Sequence, residues 1–378
     1  MRPALRRALT TLALLALGLA LLAGTVAVFG TEEVAETLAG ADRRLLGMAA
    51  LVFFTQFFTM GFRWWLTLRL LGVKVRVIPL FRANAASNFV NFFAPGHFGE
   101  PLMATWLGQS GRAPGVVAFS ALIGSKVVAT ILSFAVLVAC IPLLAARAEA
   151  SWLFQVAATA VAIVLGTVVA LVILLRPAVA AWGAALAGRS IRAVVGFAKP
   201  ELGDKLAGSV SSLLLKVRDA LATFASHPKA MLGSAVVSAV KISLQIVFVV
   251  LLFGAFDTDL TVAGATFLVT VDVLQNAISI WIPANLGVQE AMLTAAAAGG
   301  LAIDGSIAAS AAVAHKAILL IHVGLGGVAF VVLGWLERLL EPASPADEAE
   351  APAPKEVRGS GSRTHPSRSP SSPADAPP

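Results

Sequence analysis

At about 150 residues per domain, a chain of 378 residues has room for two or three soluble domains. Yet 58% of its residues are hydrophobic and only 13% are charged, against about 25% charged in ordinary soluble proteins. That deficit excludes a water-soluble globule, and the formal charge of +7 has to be placed along the chain before it can indicate a nucleic acid or a membrane surface.

A bilayer core about 30 Å thick needs about 20 apolar residues in a helix. The first such run, Leu9 to Phe29, follows Arg2, Arg6 and Arg7. Its 21 uncharged residues exceed the roughly 7 to 15 of a cleavable signal, so a retained span is expected. Leu45 to Phe62 is the second run and ends at Arg63-Trp64-Trp65. An apolar segment near 83–110 is interrupted by Pro95-Gly96, and Val127 to Leu144 and Trp152 to Leu175 then form an antiparallel pair. Between 200 and 226, Leu202, Leu206, Val210, Leu213, Leu214, Val217, Leu221 and Phe224 recur at helical spacing among charged residues. This predicts an amphipathic helix, lying at the cytoplasmic interface or packed on the protein's own cytoplasmic face. Met231 to Phe256 spans around Lys241, a second broken segment covers 262–303, and Ser306 to Trp335 spans around Lys316. Nine of the 19 prolines fall in the last 37 residues, a composition that cannot offset its own ordering entropy, so 342–378 reads as a disordered tail. The lone Cys140 can form no intrachain disulfide.

The expected fold is therefore an all-α polytopic membrane protein occupying 1–341. It has about six transmembrane helices and two Pro/Gly-broken re-entrant hairpins. Orientation follows from the excess of Lys and Arg in cytoplasmic loops. Of the 28 bases, 17 fall in the N-terminal arm, the segment 63–82, Arg112 and the segment 176–229. The opposite loops hold only Arg43, Arg44 and Arg147 among eight acids. Both termini are expected in the cytoplasm, in a multi-pass protein of the cell membrane. The basic pI is thereby absorbed by juxtamembrane loops and no nucleic acid is expected.

The two broken segments match each other. Asn84, Asn88, Pro95, Phe98 and Gly99 have the spacing of Asp272, Asn276, Pro283, Leu286 and Gly287, and Lys126 and Lys316 follow the prolines by 31 and 33 residues. With the orientation above, the copies (about 45–145 and 231–336) enter from opposite faces, as in transporters that build a midplane site from broken helices. Irregular backbone at membrane depth must be buried in protein or line a wet cavity. Six ionisable groups fall at that depth: Glu100, Asp272 and Glu290 against Lys126, Lys241 and Lys316. At about 2.5 to 3.5 kcal/mol each when unpaired, they have to be paired or hydrated. Glu100 with Lys126 and Glu290 with Lys316 are the expected pairs, either fixing helix register or lining a cavity for a charged headgroup. His315 and His322 share a helix face but lack further ligands at matching spacing. Packing is therefore expected there, with no metal, cofactor or catalytic constellation elsewhere.

The stretch Asn88 to Glu100, NFVNFFAPGHFGE, and the stretch Ile282 to Glu290, IPANLGVQE, resemble the two signature regions of the lysylphosphatidylglycerol synthase transmembrane, or flippase-like domain, family. The resemblance spans roughly residues 10 to 338. It implies a membrane domain that moves lipids between leaflets, here without the soluble aminoacyl-transferase domain found in the best-known members. The chain departs from relatives in reading Pro101-Leu102-Met103-Ala104 and Ser125-Lys126 where they commonly carry an arginine. The expected function is a non-enzymatic flippase whose substrate pathway is lined by Asn84, Asn88, Pro95, Gly99, Glu100, Lys126, Lys241, Asp272, Asn276, Pro283, Gly287, Glu290 and Lys316. Its partners would be membrane lipids, with an anionic phospholipid or a polyprenyl-linked headgroup as candidates; a membrane enzyme or a second copy of the chain stays open as a partner. Two other readings also stay open: an accessory subunit for a glycosyltransferase or lipid-modifying enzyme, and a proton-coupled transporter of a small anion.

Overall fold

The computed structural model describes residues 31–93, 99–109, 113–145, 175–196, 200–278 and 285–340, with isolated positions at 27, 161, 162, 165, 166, 169 and 282. All regular structure among them is helical. In chain order the helices are α1 (Thr31–Gly40), α2 (Arg43–Leu70), α3 (Val77–Phe93), α4 (Gly99–Gln109), α5 (Gly115–Ala145), α6 (Pro177–Gly196), α7 (Pro200–Ala225), α8 (Pro228–Gly254), α9 (Val262–Ile278), α10 (Val288–Ala295) and α11 (Gly305–Leu340), with a π-helical turn at Ala296–Gly300 after α10. Four of them, α2, α5, α8 and α11, are long and apolar enough to cross a membrane. The protein is thus an all-α membrane protein. The expected spans Leu9 to Phe29 and Trp152 to Leu175, apart from isolated positions, and the tail from 342 lie outside the described residues.

Several elements differ from the sequence reading; α5, for one, begins at Gly115 and not at Val127. α2 does not stop at Phe62 but runs on to Leu70, so Arg63 and Arg69 are helical residues and not part of a loop. Arg63 Nη1 donates to Ser238 Oγ at 3.3 Å, and the Arg69 guanidinium stacks 4.9 Å from the Trp65 ring centre. With partners of this kind a charge need not end a helix. α6 was not foreseen: the segment was read as part of a long cytoplasmic loop, although its small apolar residues, among them Ala180 and Ala184, recur at helical spacing on a buried face.

Helix starts follow local chemistry. Pro177, Pro200 and Pro228 open α6, α7 and α8, where a missing N–H costs nothing. Asp42 caps α2 by accepting from Arg44 N at 2.7 Å. Asp304 caps α11, accepting from Ser306 Oγ at 2.6 Å, Ser306 N at 2.8 Å and Ile307 N at 3.3 Å. The Ser306 hydroxyl, with the backbone N–H groups behind it, holds the Asp304 carboxyl below the usual carboxylate range. A depressed pKa contributes stability above the unfolded value and loses it as pH falls through the folded one. Asp304→Ala is therefore expected to cost about 1 kcal/mol at neutral pH. The cost should shrink as pH falls below the unfolded carboxyl's pKa of about 3.9 and be smallest at acid pH, where the native carboxyl is protonated as well. Thermal unfolding in detergent at the two pH values checks this.

The connections fix how the hairpins lie. Asp42 N donates to Ala255 O at 2.8 Å and Ser310 Oγ to Val34 O at 3.3 Å, so the starts of α2 and α11 and the end of α8 share one end of the bundle. At the other end, Gly233 of α8 lies under Leu66 and Leu70 of α2, and Gly334 of α11 under Arg82 of α3. The α3–α4 hairpin opens at this second end, where Gly108 meets Gly115 at the start of α5. The α9–α10 hairpin, joined to the end of α8 and the start of α11, opens at the first.

Each hairpin has its own apolar core. Trp64, Leu68, Leu80, Met103, Leu107, Ala118 and Leu122 pack α2, α3, α4 and α5 together. Phe248, Leu252, Phe253, Phe267 and Leu268 pack α8 and α9 against Ala308, Ala311 and Ala312 of α11, whose small side chains let the helices approach closely. The apolar face of α7 is turned onto the protein, with Ala207, Ala220, Leu221 and Phe224 buried and the Phe224 ring against Gly124 of α5.

Candidate functional site

In the first hairpin, α3 ends at Phe93 and α4 begins at Gly99; Pro95 and Phe98 lie outside the described residues. The turn between them is bridged by Asn91, whose Oδ1 accepts from Gly99 N at 2.7 Å and so satisfies a donor that a helix start would otherwise leave open. Gly99 is pressed against α3 so closely that a Cβ there would lie 2.1 Å from Ser87 O. Asn84 Nδ2 donates to Phe57 O at 3.3 Å, tying α3 to α2. In the second hairpin, α10 is preceded by Asn285 and Gly287 at φ +50° and +74°, left-handed backbone that turns the chain back into a helix. Pro283 and the Asn276 side chain lie outside the described residues.

Described residues of the two hairpins border one cavity of about 240 Å³. Asn88, Asn91 and Glu100 reach it from the first hairpin, Asp272, Asn285 and Gln289 from the second, Gln56 from α2, Lys241 and Gln245 from α8, and His315 and His322 from α11. Gln56 Nε2, Asn88 Nδ2 and His322 Nδ1 are buried with no hydrogen-bond partner among the described residues. Buried polar groups are nearly always satisfied, so these are the groups that a polar headgroup or water would meet.

Both ion pairs expected from the sequence form. Lys126 pairs with Glu100, and Lys316 Nζ lies 3.1 Å from Glu290 Oε1. They differ in setting. Side-chain exposure is 45% for Lys126 and 14% for Glu100, but only 4% for Lys316 and 1% for Glu290. The sealed pair is part of a chain: Lys316 Nζ donates to Gln289 Oε1 at 2.7 Å, and Gln289 Nε2 donates to Asp272 Oδ1 at 2.8 Å. The same ammonium faces Glu290 as a buried ion pair. The amide of Gln289 can face only one way between a cation and an anion.

Lys241 stands in the field of Arg63, Asp272, Glu100 and Lys126. Counting Arg63, four bases face three acids among the described residues at this depth, so the three-against-three balance read from the sequence becomes a surplus of one positive charge there. The site residues that sequence reasoning missed are Asn91, Gln289, Gln56, Gln245 and Arg63. Asn91 could have been found as the residue one turn after Asn88, and Gln289 as the neighbour of Glu290. His315 and His322 pack as expected, their rings 5.7 and 5.2 Å from Phe53, but they also border the cavity. Among the described residues no three His, Cys, Asp or Glu side chains converge as metal ligands would.

A family model described as "Lysylphosphatidylglycerol synthase TM region" matches residues 12–327. No curated protein and no solved structure matches the chain.

Proposed function

Because the chain belongs to the lysylphosphatidylglycerol synthase transmembrane family, we propose that it moves a lipid with a polar or anionic headgroup between the leaflets of the cell membrane, without chemical transformation. One observation carries this reading: polar and charged side chains from both hairpins border a single cavity among helices long enough to span the bilayer. The surplus positive charge favours an anionic group there, and the unmatched donors of Gln56 and Asn88 suit phosphate or hydroxyl oxygens. In this reading the hairpins are an inverted repeat about the midplane, supported by their opening at opposite ends of the bundle. The termini are cytoplasmic on the strength of the Lys and Arg distribution. Asn88, Glu100, Lys241 and Asp272 belong to the substrate pathway, with Lys126 holding Glu100 in place and the sealed Lys316–Glu290 pair holding Gln289 behind the cavity wall.

Proteoliposomes carrying labelled phospholipids or polyprenyl-linked sugars in one leaflet test the proposal. Wild type is expected to speed leaflet exchange, and Glu100→Gln with Glu290→Gln to reduce it by about tenfold or more, as loss of two charge contacts worth about 1.4 kcal/mol or more together implies. Equal exchange by the two proteins overturns it. A proton-coupled transporter of a small anion is favoured by the presence of Asp272, His315 and His322 around the same cavity. Uptake of such an anion that does not respond to pH counts against that second reading.

A further inference from the structure

The helices α4, α5 and α7 enclose a crevice of about 460 Å³ lined by Ala104, Thr105, Val116, Phe119, Lys216 and Asp219. It lies at the end where the first hairpin opens. Two helical lines climb from it to the same point. On α4, Glu100 stands one turn beyond Ala104. On α5, Val116, Phe119, Ile123 and Lys126 follow one another at three- and four-residue steps, which places them on one face. Glu100 and Lys126 close the far end as an ion pair, and Glu100 also borders the central cavity. The pair therefore stands between the crevice and the cavity.

The charges along this groove are unequal in their commitments. Asp219 is engaged by Arg218, whose Nη1 donates to Oδ1 at 2.7 Å, and Glu100 by Lys126. Lys216 is exposed and makes no ion pair among the described residues. Lys126 lies 11 residues into α5, about 16 Å from Gly115 at 1.5 Å per residue, which is near the bilayer midplane, yet its side chain is 45% exposed. Even paired with Glu100, a half-exposed ammonium at that depth is costly against lipid tails, and a second anion or a wet path beside it relieves that cost. With Val116, Phe119 and Ile123 as apolar walls, the groove matches an amphiphile whose anionic end follows the lysines.

We propose that this groove takes the phosphodiester of an anionic membrane lipid, meeting Lys216 near the interface and Lys126 at depth. The inference rests on the transport reading and names the lateral route by which its substrate reaches the cavity. A phosphodiester on Lys126 competes with the Glu100 carboxylate, so arrival of the headgroup loosens the partition in front of the cavity.

Thermal unfolding of the detergent-solubilised full chain tests it with dihexanoyl-phosphatidylglycerol, dihexanoyl-phosphatidylcholine and glycerol 3-phosphate at equal concentration. A ligand that binds only the folded state raises Tm. The anionic lipid is expected to raise the wild-type Tm well above the effect of the other two. Lys126→Gln and Lys216→Gln should each lose most of that gain, and Lys229→Gln, an exposed base at the same end, should keep it. The same gain with glycerol 3-phosphate would make the site one for free phosphate and overturn the lipid assignment, as would full retention by the two groove variants. Should Lys126→Gln fail to fold, wild type decides alone. Amine-reactive labelling with peptide mapping is expected to show Lys126 and Lys216 protected by the anionic lipid at least about threefold over phosphatidylcholine, and no protection sinks the groove. Leaflet exchange that depends on Glu100 and Glu290 without groove protection removes this inference alone, whereas protection without any exchange removes the transport reading.

Discussion

Replacing Lys316 by Met is expected to destabilise the protein by about 3 to 5 kcal/mol, the range for breaking a buried ion pair while its partner stays charged. The loss is large because three groups depend on one ammonium. Glu290, 1% exposed, loses its counter-charge. Gln289 Oε1 loses the donor at 2.7 Å, and with it the constraint that aims its amide at Asp272. No water-exposed surface lies nearby to take up the carboxylate, since Lys316 itself is 4% exposed. Lys126→Met removes the corresponding residue of the first hairpin and is expected to cost less than Lys316→Met, because its pair is less deeply buried, at 45% and 14% exposure against 4% and 1%. Removing both members of the sealed pair, with Lys316→Met and Glu290→Leu together, should recover much of the loss, as apolar replacements of buried pairs commonly do. Chemical unfolding in mild detergent measures all three. If Lys316→Met and Lys126→Met unfold alike, the contrast in burial has no energetic meaning.

That contrast assigns different tasks to two stretches with matching sequence spacing. The α9–α10 hairpin is tied to α11 through Asp272, Gln289, Glu290 and Lys316. The polar ties of the α3–α4 hairpin are the half-exposed Glu100–Lys126 pair, the Asn91 cap and the Asn84 bond to α2. In a cavity bordered by both, the weakly tied hairpin is the one whose movement costs less, and it is also the one beside the lysine-lined groove.

The ion pairs were legible in the sequence because charge inside an apolar run is so costly that the partner must be near, and the repeat gave the register. The helical spans were legible for the same reason, since length and hydropathy fix them without any tertiary information. Arg63 was misplaced because hydropathy alone treats every arginine at the end of an apolar run as a boundary. Its hydrogen bond to Ser238 belongs to a contact 175 residues away. Gln289 was missed because an amide carries no charge to count, and its role exists only once Asp272 and Lys316 stand on either side. α6 was missed because its stripe is built mostly of Ala, and Arg189 and Arg192 within it were counted as bases of a loop. The matching spacing of the two breaks likewise could not tell which pair would be sealed, since burial is set by the packing of α11 on one side and α7 on the other.

Gly99→Ala is expected to be the most damaging single-methyl change in the first hairpin, costing about 3 kcal/mol or more, at or beyond the top of the usual overpacking range. The added Cβ would stand 2.1 Å from Ser87 O and 2.8 Å from Asn91 Oδ1. The first of these is a backbone atom inside α3 and cannot rotate away, so α4 has to withdraw from α3. Withdrawal breaks the Asn91 to Gly99 hydrogen bond and carries the next residue, Glu100, away from both Lys126 and the cavity. The effect should therefore appear twice, as a lowered unfolding midpoint and as leaflet exchange reduced toward that of Glu100→Gln. Gly47→Ala is the matched control, because a Cβ there meets nothing within 4 Å and Ala in an exposed helix position is favoured by up to about 1 kcal/mol. If Gly99→Ala behaves like Gly47→Ala, the close approach of α3 and α4 does not hold the first hairpin, and the position of Glu100 must be set from α5 alone.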